Sequence, residues 1–255
     1  MMELRNNVIW ITGASSGIGR ALAVQLARYN TVIASARSQE KLLQLKEEVP
    51  EIVIRQADVT QMSQLADTSA FIDHMFGRLD CLIANAGHCE YLDVRHFDSG
   101  VARRMMETNY LGFVYTLESC LHLLRRSDHP HIVAMSSSSV YAGLPRAEAY
   151  SAAKAAISQF MESLASDLKP EGFALSVIHP GFVDTELTQG NDFPMPLLMS
   201  SEQAATRIIK GIEHGRFNID FPKPLTWVLR CLRSTPHFLR HRITSSLSRN
   251  VHHEL

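Results

Sequence analysis

Val8-Ile9-Trp10-Ile11-Thr12-Gly13-Ala14-Ser15-Ser16-Gly17-Ile18-Gly19 opens as an unbroken apolar run and closes on three glycines. The run over residues 8–12 is short, β-branched and bounded by a turn, which predicts a buried parallel strand. A helix is expected to open at about Ile18. Glycines at 13, 17 and 19 give the intervening turn a chemical use: a pyrophosphate needs backbone N–H donors unobstructed by Cβ atoms, and a helix N-terminus adds favourable partial charge.

Outward from this stretch, similar apolar runs recur at 31–34, 52–54, 81–84, 132–135 and 175–178. Helical periodicity fills the gaps, as with Ala21, Leu22, Val24, Leu26 and Ala27, then Leu42, Leu43, Leu45 and Val49. Strand alternating with helix means βαβ units with right-handed crossovers. The expected fold is therefore α/β, a doubly wound parallel sheet with helices on both faces, in a single domain over 1–255. With 255 residues, 45% of them apolar, such a core is easily filled.

The 25 basic and 26 acidic side chains nearly cancel, so no global charge argues for nucleic acid. Cys81, Cys89, Cys120 and Cys231 form no C-x-x-C pair, and the histidines, including His129, His131, His252 and His253, form no ligand cluster. No metal is expected. The thiols fit a reducing compartment, and the N-terminal run is too brief for a signal peptide or a membrane span, so the expected location is cytoplasmic.

Two segments break the alternation. Residues 190–199 carry two prolines with Phe193, Met195, Leu197 and Leu198, and read as a mobile flap over a site, within a substrate segment at about 186–200. From 221 to 253 the chain holds Lys223, Arg230, Arg233, Arg240, Arg242 and Arg249 without Asp or Glu, interleaved with Leu225, Trp227, Val228, Leu229, Leu232, Phe238 and Leu239. Residues 221–255 are thus a basic amphipathic extension, either packed on the protein or a partner subunit, or in peripheral contact with an anionic membrane.

The T-G-x-x-x-G-x-G pattern at 12–19 resembles the short-chain dehydrogenase/reductase family, in particular its members of this chain length, and the resemblance runs from about Val8 to Thr185. It implies a Rossmann-type fold and a cofactor-binding set of Gly13, Ser15, Ser16, Gly17, Ile18 and Gly19. In that family a residue at the end of the second strand selects the cofactor, an acid for NAD and a base for NADP. Here the segment is Ser35-Ala36-Arg37-Ser38, with no carboxylate to repel a 2′-phosphate and with Arg37 able to pair with one. NADP(H) is the expected cofactor in preference to NAD(H). Asp58 and Val59 match the family's adenine contact. Asn85, Ala86 and Gly87 match its N-A-G element, and Pro180, Gly181, Val183 and Thr185 match the segment lying against the nicotinamide.

Tyr150 and Lys154 stand at i and i+4, so on a helix they share one face. A phenol of ordinary pKa ~10 is a poor proton shuttle near neutrality, and a nearby ammonium favours the phenolate. By resemblance, Tyr150 is the general acid/base, Lys154 tunes it and holds the ribose, and both belong to the cofactor set. Ser137, thirteen residues before Tyr150, matches the family's serine that holds the substrate oxygen, with Ser138 as the alternative. Asn109 matches the fourth catalytic position.

These matches imply an NADP(H)-dependent oxidoreductase interconverting a carbonyl and a secondary alcohol. The flap, with Tyr141 and Leu144, points to an apolar or lipid-like substrate. Enoyl-reductase and nucleotide-sugar-epimerase readings fit the Tyr-to-Lys gap and the glycine spacing less well. A binding module that senses NADP(H) or acts as a scaffold is the rival from another class. Family members usually associate through the helices bearing Asn109 and Tyr150, which implies a homodimer or homotetramer.

Overall fold

A computed structural model describes residues 4–189, 191 and 193–245. Of the features singled out above, Gly190, Arg249, His252 and His253 lie outside the described residues. Along the chain the elements are β1 (Val8–Thr12), α1 (Gly17–Leu26), β2 (Thr31–Ala36), α2 (Gln39–Glu48), β3 (Val53–Gln56), α3 (Met62–Phe76) and β4 (Cys81–Ala84). They continue as α4 (Ser99–Met105), a π-helical turn (Met106–Leu111), α5 (Gly112–Leu124), β5 (His131–Met135), a 3₁₀ turn (Ser138–Tyr141), α6 (Glu148–Leu168) and β6 (Ala174–Pro180). The last are α7 (Ser201–Glu213), β7 (Asn218–Phe221), α8 (Lys223–Ser234) and α9 (His237–Ser245).

All seven strands join one parallel sheet in the order β3-β2-β1-β4-β5-β6-β7. Its central strands are buried and mostly apolar because both faces are covered. Alternate side chains serve opposite cores: Ile9 and Ile11 of β1 pack with Leu22 and Leu26 of α1, Leu45 of α2 and Ile208 of α7, whereas Val8 and Trp10 pack with Leu65 of α3, Phe113 of α5 and Met161 of α6. The same alternation in β4 sends Cys81 and Ile83 one way and Leu82 and Ala84 the other.

The winding reverses between β1 and β4, so the loops after Thr12 and Ala84 diverge to opposite sides and leave a crevice at the carboxyl edge of the sheet. One strand lacks a sequence-level counterpart. β7, Asn218-Ile219-Asp220-Phe221, is an edge strand paired only with β6, and its alternating polar residues hide it from a search for continuous apolar runs. Phe221, read above as the start of the basic extension, is instead 1% exposed at the end of β7, so the extension begins beyond it.

The stretch read as a flap is tied down at both ends. Val183 bridges Met199, the Asp184 N–H donates to the Met199 carbonyl (2.9 Å) and the Met199 N–H donates to that of Phe182 (3.2 Å). Between these anchors the Phe193 ring packs edge-on against Tyr91 and Phe182, while Leu197 and Leu198 are exposed.

Candidate active site

The crevice is a cleft of about 830 Å³. Its phosphate end is built by the turn after β1. Gly13 and Gly17 take left-handed φ values of +66° and +53°, which side-chain-bearing residues rarely adopt, and a Cβ on Gly17 would lie 2.9 Å from Thr185 Cγ2 across the cleft. Ser16 caps α1 without a side-chain hydrogen bond, and the first turn holds no acid. Backbone N–H groups of that turn are therefore left for an anion at the helix's positive end. The bare backbone and this donor set fit a dinucleotide pyrophosphate.

Gly19 does not line the cleft. A Cβ there would come 2.3 Å from the Gly13 carbonyl oxygen and 2.4 Å from Asn85 Nδ2, so this glycine lets α1 pack against the turn behind the cleft. Asn85 Nδ2 donates to the Thr12 and Gly13 carbonyls, both at 3.1 Å, and the Ala86 N–H donates to Thr12 Oγ1 at 3.1 Å. These bonds fasten the β4 loop to the β1 loop across the switch point. Gly19→Ala is expected to cost ~1–3 kcal/mol of stability through overpacking, readable from urea melts.

Beyond the glycine turn Arg37 follows β2 and is exposed, with Ser38 and Lys41 beside it on the cleft wall. Lys41 Nζ pairs with Glu186 from the far side. The sequence reading did not include Lys41. Its signal was a second base one helical turn beyond Arg37, at the start of α2. Asp58 also lines the cleft, but its Oδ1 already accepts from the Thr60 N–H and Thr60 Oγ1, both at 2.9 Å. Val59, Ala86, Gly87, Pro180, Gly181 and Val183 complete the walls.

The other end gathers Asn109, Ser137, Tyr150 and Lys154. Tyr150 and Lys154 occupy the first two turns of α6, on the stripe that continues through Ile157 and Met161 into the core. Ala149 and Ala153 are small enough for α6 to lie close against Val101 and Met105 of α4. Lys154 is 3% exposed; its Nζ donates to the Met135 carbonyl (2.9 Å) and stands 5.8 Å from the centre of the Tyr150 ring. Asn109 sits in the π-helical turn, where its Nδ2 donates to the carbonyls of His88 (2.9 Å) and Met105 (3.0 Å), and its Oδ1 accepts the His88 N–H (3.1 Å). A Cβ on Gly87 would meet Asn109 Oδ1 at 2.7 Å and Lys154 Nζ at 3.1 Å, so Gly87 keeps that corner open.

Of the two candidate serines, Ser137 lines the cleft and Ser138 does not. Ser137 lies just beyond β5 and caps the 3₁₀ turn, its Oγ accepting the Ser139 N–H (3.2 Å), and it lines the cleft together with Tyr150. Burial pushes the Tyr150 pKa up, a shift that the Ser137 hydroxyl opposes. Burial also pulls Lys154 down to about 8. Both groups are thus biased toward their neutral forms by the same dry surroundings.

Other cleft residues had no sequence signal because they sit on irregular loops. Tyr91 OH donates to Asn191 Oδ1 (2.6 Å), and the thiol of Cys89, pushed up to about 11 chiefly by burial, lies close by. Tyr141 and Leu144, read above as substrate-facing, do not line the cleft. Tyr141 turns toward β7, donating to Asp220 Oδ1 at 2.6 Å, because the buried carboxylate needs the hydrogen bond.

A parallel sheet with a long cleft over its switch point is the architecture of dinucleotide-binding proteins. A family model described as short chain dehydrogenase matches residues 7–193. A Myxococcus xanthus protein named uncharacterized oxidoreductase is 35% identical over 242 residues, covering 93% of this chain and 96% of that protein. The 11-beta-hydroxysteroid dehydrogenase A of Sesamum indicum is 35% identical over 195 residues, 74% of this chain but only 56% of the plant protein. Among solved structures, a short chain dehydrogenase from Burkholderia cenocepacia in complex with NADP superposes with a TM-score of 0.82 at 24% identity, over 97% of this chain and 100% of that one, a likeness of fold. The chain belongs to the short-chain dehydrogenase family, a family of oxidoreductases acting on alcohol and carbonyl groups.

Proposed function

We propose that this protein is an NADP(H)-dependent oxidoreductase that interconverts an apolar ketone or aldehyde with its alcohol. The observation that carries this reading is that Ser137, Tyr150, Lys154 and Asn109 converge at one end of the cleft whose other end holds the glycine turn and Arg37. Gly13, Ser15, Ser16, Gly17 and Ile18 would hold the pyrophosphate, Arg37 and Lys41 the 2′-phosphate, and Val183 and Thr185 the carboxamide. When bound, the nicotinamide exchanges a hydride with the carbonyl carbon.

The chain's own residues manage the proton. Ser137 Oγ donates to the substrate oxygen and polarises it. Tyr150 is protonated near neutrality as any phenol is, the more firmly because burial raises its pKa, and it delivers that proton to the oxygen as negative charge develops there. Lys154 brings positive charge toward the phenol as the proton leaves, and Asn109 fixes the loop that closes the corner beside it. Tyr91, backed by Phe193 and Phe182, offers the substrate a flat apolar wall. The hydroxysteroid names of the plant relatives point the same way, toward bulky apolar alcohols. The family habit of pairing through the helices bearing Asn109 and Tyr150 supports a homodimer or homotetramer, read by light scattering.

The test is titration with NADPH and NADH, followed by turnover on ketones and aldehydes of increasing size and apolarity. NADPH is expected to bind more tightly, and equal or tighter NADH binding would remove Arg37 from its role. Arg37→Gln is expected to weaken NADPH binding roughly 10- to 100-fold, the worth of a charge-assisted contact, while leaving NADH binding unchanged.

A further inference from the structure

We infer that α8 and α9 form a docking surface for an anionic lipid membrane, set beside the mouth of the cleft. α8 is fastened to the body on one side. Thr226 is buried, Leu225 lies against Gly181 of the cleft wall, and Leu225, Leu229 and Leu232 form the inward stripe. Arg230 Nη2 donates to Tyr141 OH (2.7 Å) and Asp220 Oδ2 (2.9 Å), and Arg233 Nη1 donates to the Val140 carbonyl (3.0 Å). The opposite side carries Trp227 and Val228, 69% and 56% exposed, and α9 adds Phe238 at 77%, with Leu239 and Ile243 also exposed.

The charge around this strip selects the partner. α8 and α9 carry five Lys and Arg residues and no Asp or Glu, in a chain whose net charge is −1, so the remainder of the molecule is acidic; of the five, Arg230 is paired with Asp220 of β7. Exposed aromatic and aliphatic side chains among cations, with carboxylates excluded, match the boundary between acyl chains and anionic headgroups. Face-to-face pairing of two copies of the strip would bring like charges together, which disfavours a second copy as its occupant. No described helix is long and apolar enough to cross a membrane, so the contact is peripheral. Because α8 leaves the carboxyl edge of the sheet and touches Gly181, docking brings the cleft mouth to the lipid, where an apolar substrate would partition. That last step rests on the proposed substrate class; the docking itself does not.

The experiment is co-sedimentation of the full chain with phosphatidylcholine vesicles, with and without phosphatidylglycerol. Trp10 is fully buried and Trp227 is the other tryptophan, so a shift in tryptophan emission reports the strip directly. The expected result is binding to anionic vesicles stronger than to neutral ones by roughly tenfold or more, reversed by high salt, with a blue shift of Trp227 emission. Trp227→Ser combined with Phe238→Ser is expected to abolish sedimentation while leaving NADPH binding and turnover on a water-soluble carbonyl unchanged. Indifference to anionic lipid, or unchanged sedimentation of the double variant, would overturn the inference. So would a light-scattering dimer that the double variant dissociates, since the strip would then hold a second copy. Failure of turnover with vesicle binding intact would instead count against the proposed enzymatic reading.

Discussion

Tyr150→Phe is expected to reduce turnover of any accepted carbonyl substrate by about 10²–10⁴-fold while NADPH affinity is retained. The phenolic hydroxyl is the only part removed. The ring stays packed beside Leu92, Val101 and Met105, so the shape of the cleft and the position of α6 against α4 are preserved. What disappears is the phenolic proton, which burial holds more firmly than in an exposed tyrosine. Stopped-flow reduction with saturating NADPH, beside a fluorescence titration of the cofactor, separates the two quantities. Turnover within a fewfold of the parent would remove the tyrosine from the mechanism. A parent that binds NADPH tightly and turns over nothing on the full panel would favour the sensor reading.

The fold was legible from the sequence wherever the chain is buried on both sides. Strands β1, β2, β4, β5 and β6 are covered by helices above and below, so apolar residues dominate them at both parities and appear as short, nearly continuous runs. β7 escaped because polar and apolar residues alternate along it and leave no continuous apolar run. Asn218 begins it exposed, and Asp220 within it is buried only because Tyr141, Arg230 and the nearby ring of His179 surround the carboxylate. Those partners come from three distant places in the chain, and no local pattern announces them. Phe221, next to the basic run in sequence, belongs to the core only because β7 carries it there.

The cleft divides along similar lines. Residues fixed by regular elements, such as Gly13 and Gly17 at the β1–α1 junction and Tyr150 and Lys154 on the buried stripe of α6, follow from spacing. Gly19 shows what spacing leaves open. The glycine is required, but by the packing of α1 on Gly13 and Asn85, not by the ligand. Tyr91 and Asn191 reach the cleft through loop geometry, which only the folded chain reveals, as it does the pairing of Lys41 with Glu186 across the cleft.

Replacing Lys154 by Met is expected to end turnover and, at the same time, to change the pH dependence of stability in a defined direction. In the parent, burial lowers the Lys154 pKa from 10.5 to about 8. Below pH 8 the ammonium is present in folded and unfolded chains alike, and the folded state bears its full desolvation cost, on the order of 3 kcal/mol. Between about pH 8 and 10.5 the unfolded chain holds the proton and the folded chain does not, so stability rises with pH; above that window the cost is gone. Methionine has no proton to lose. The parent's stability measured relative to Lys154→Met should therefore increase as pH climbs from 8 toward 10.5, while titrations common to both proteins cancel. Near neutrality the variant regains that cost but leaves the Met135 carbonyl without its donor, a loss of ~1–3 kcal/mol, so it should be about as stable as the parent or more so. Urea unfolding at pH 7, 8, 9 and 10 reads the difference directly. A difference that does not move with pH would mean that the ammonium is solvated in the folded protein. A rising difference together with lost turnover would identify Lys154 as a charge held in the core at the expense of stability, which is expected of a residue retained for the proton chemistry of Tyr150.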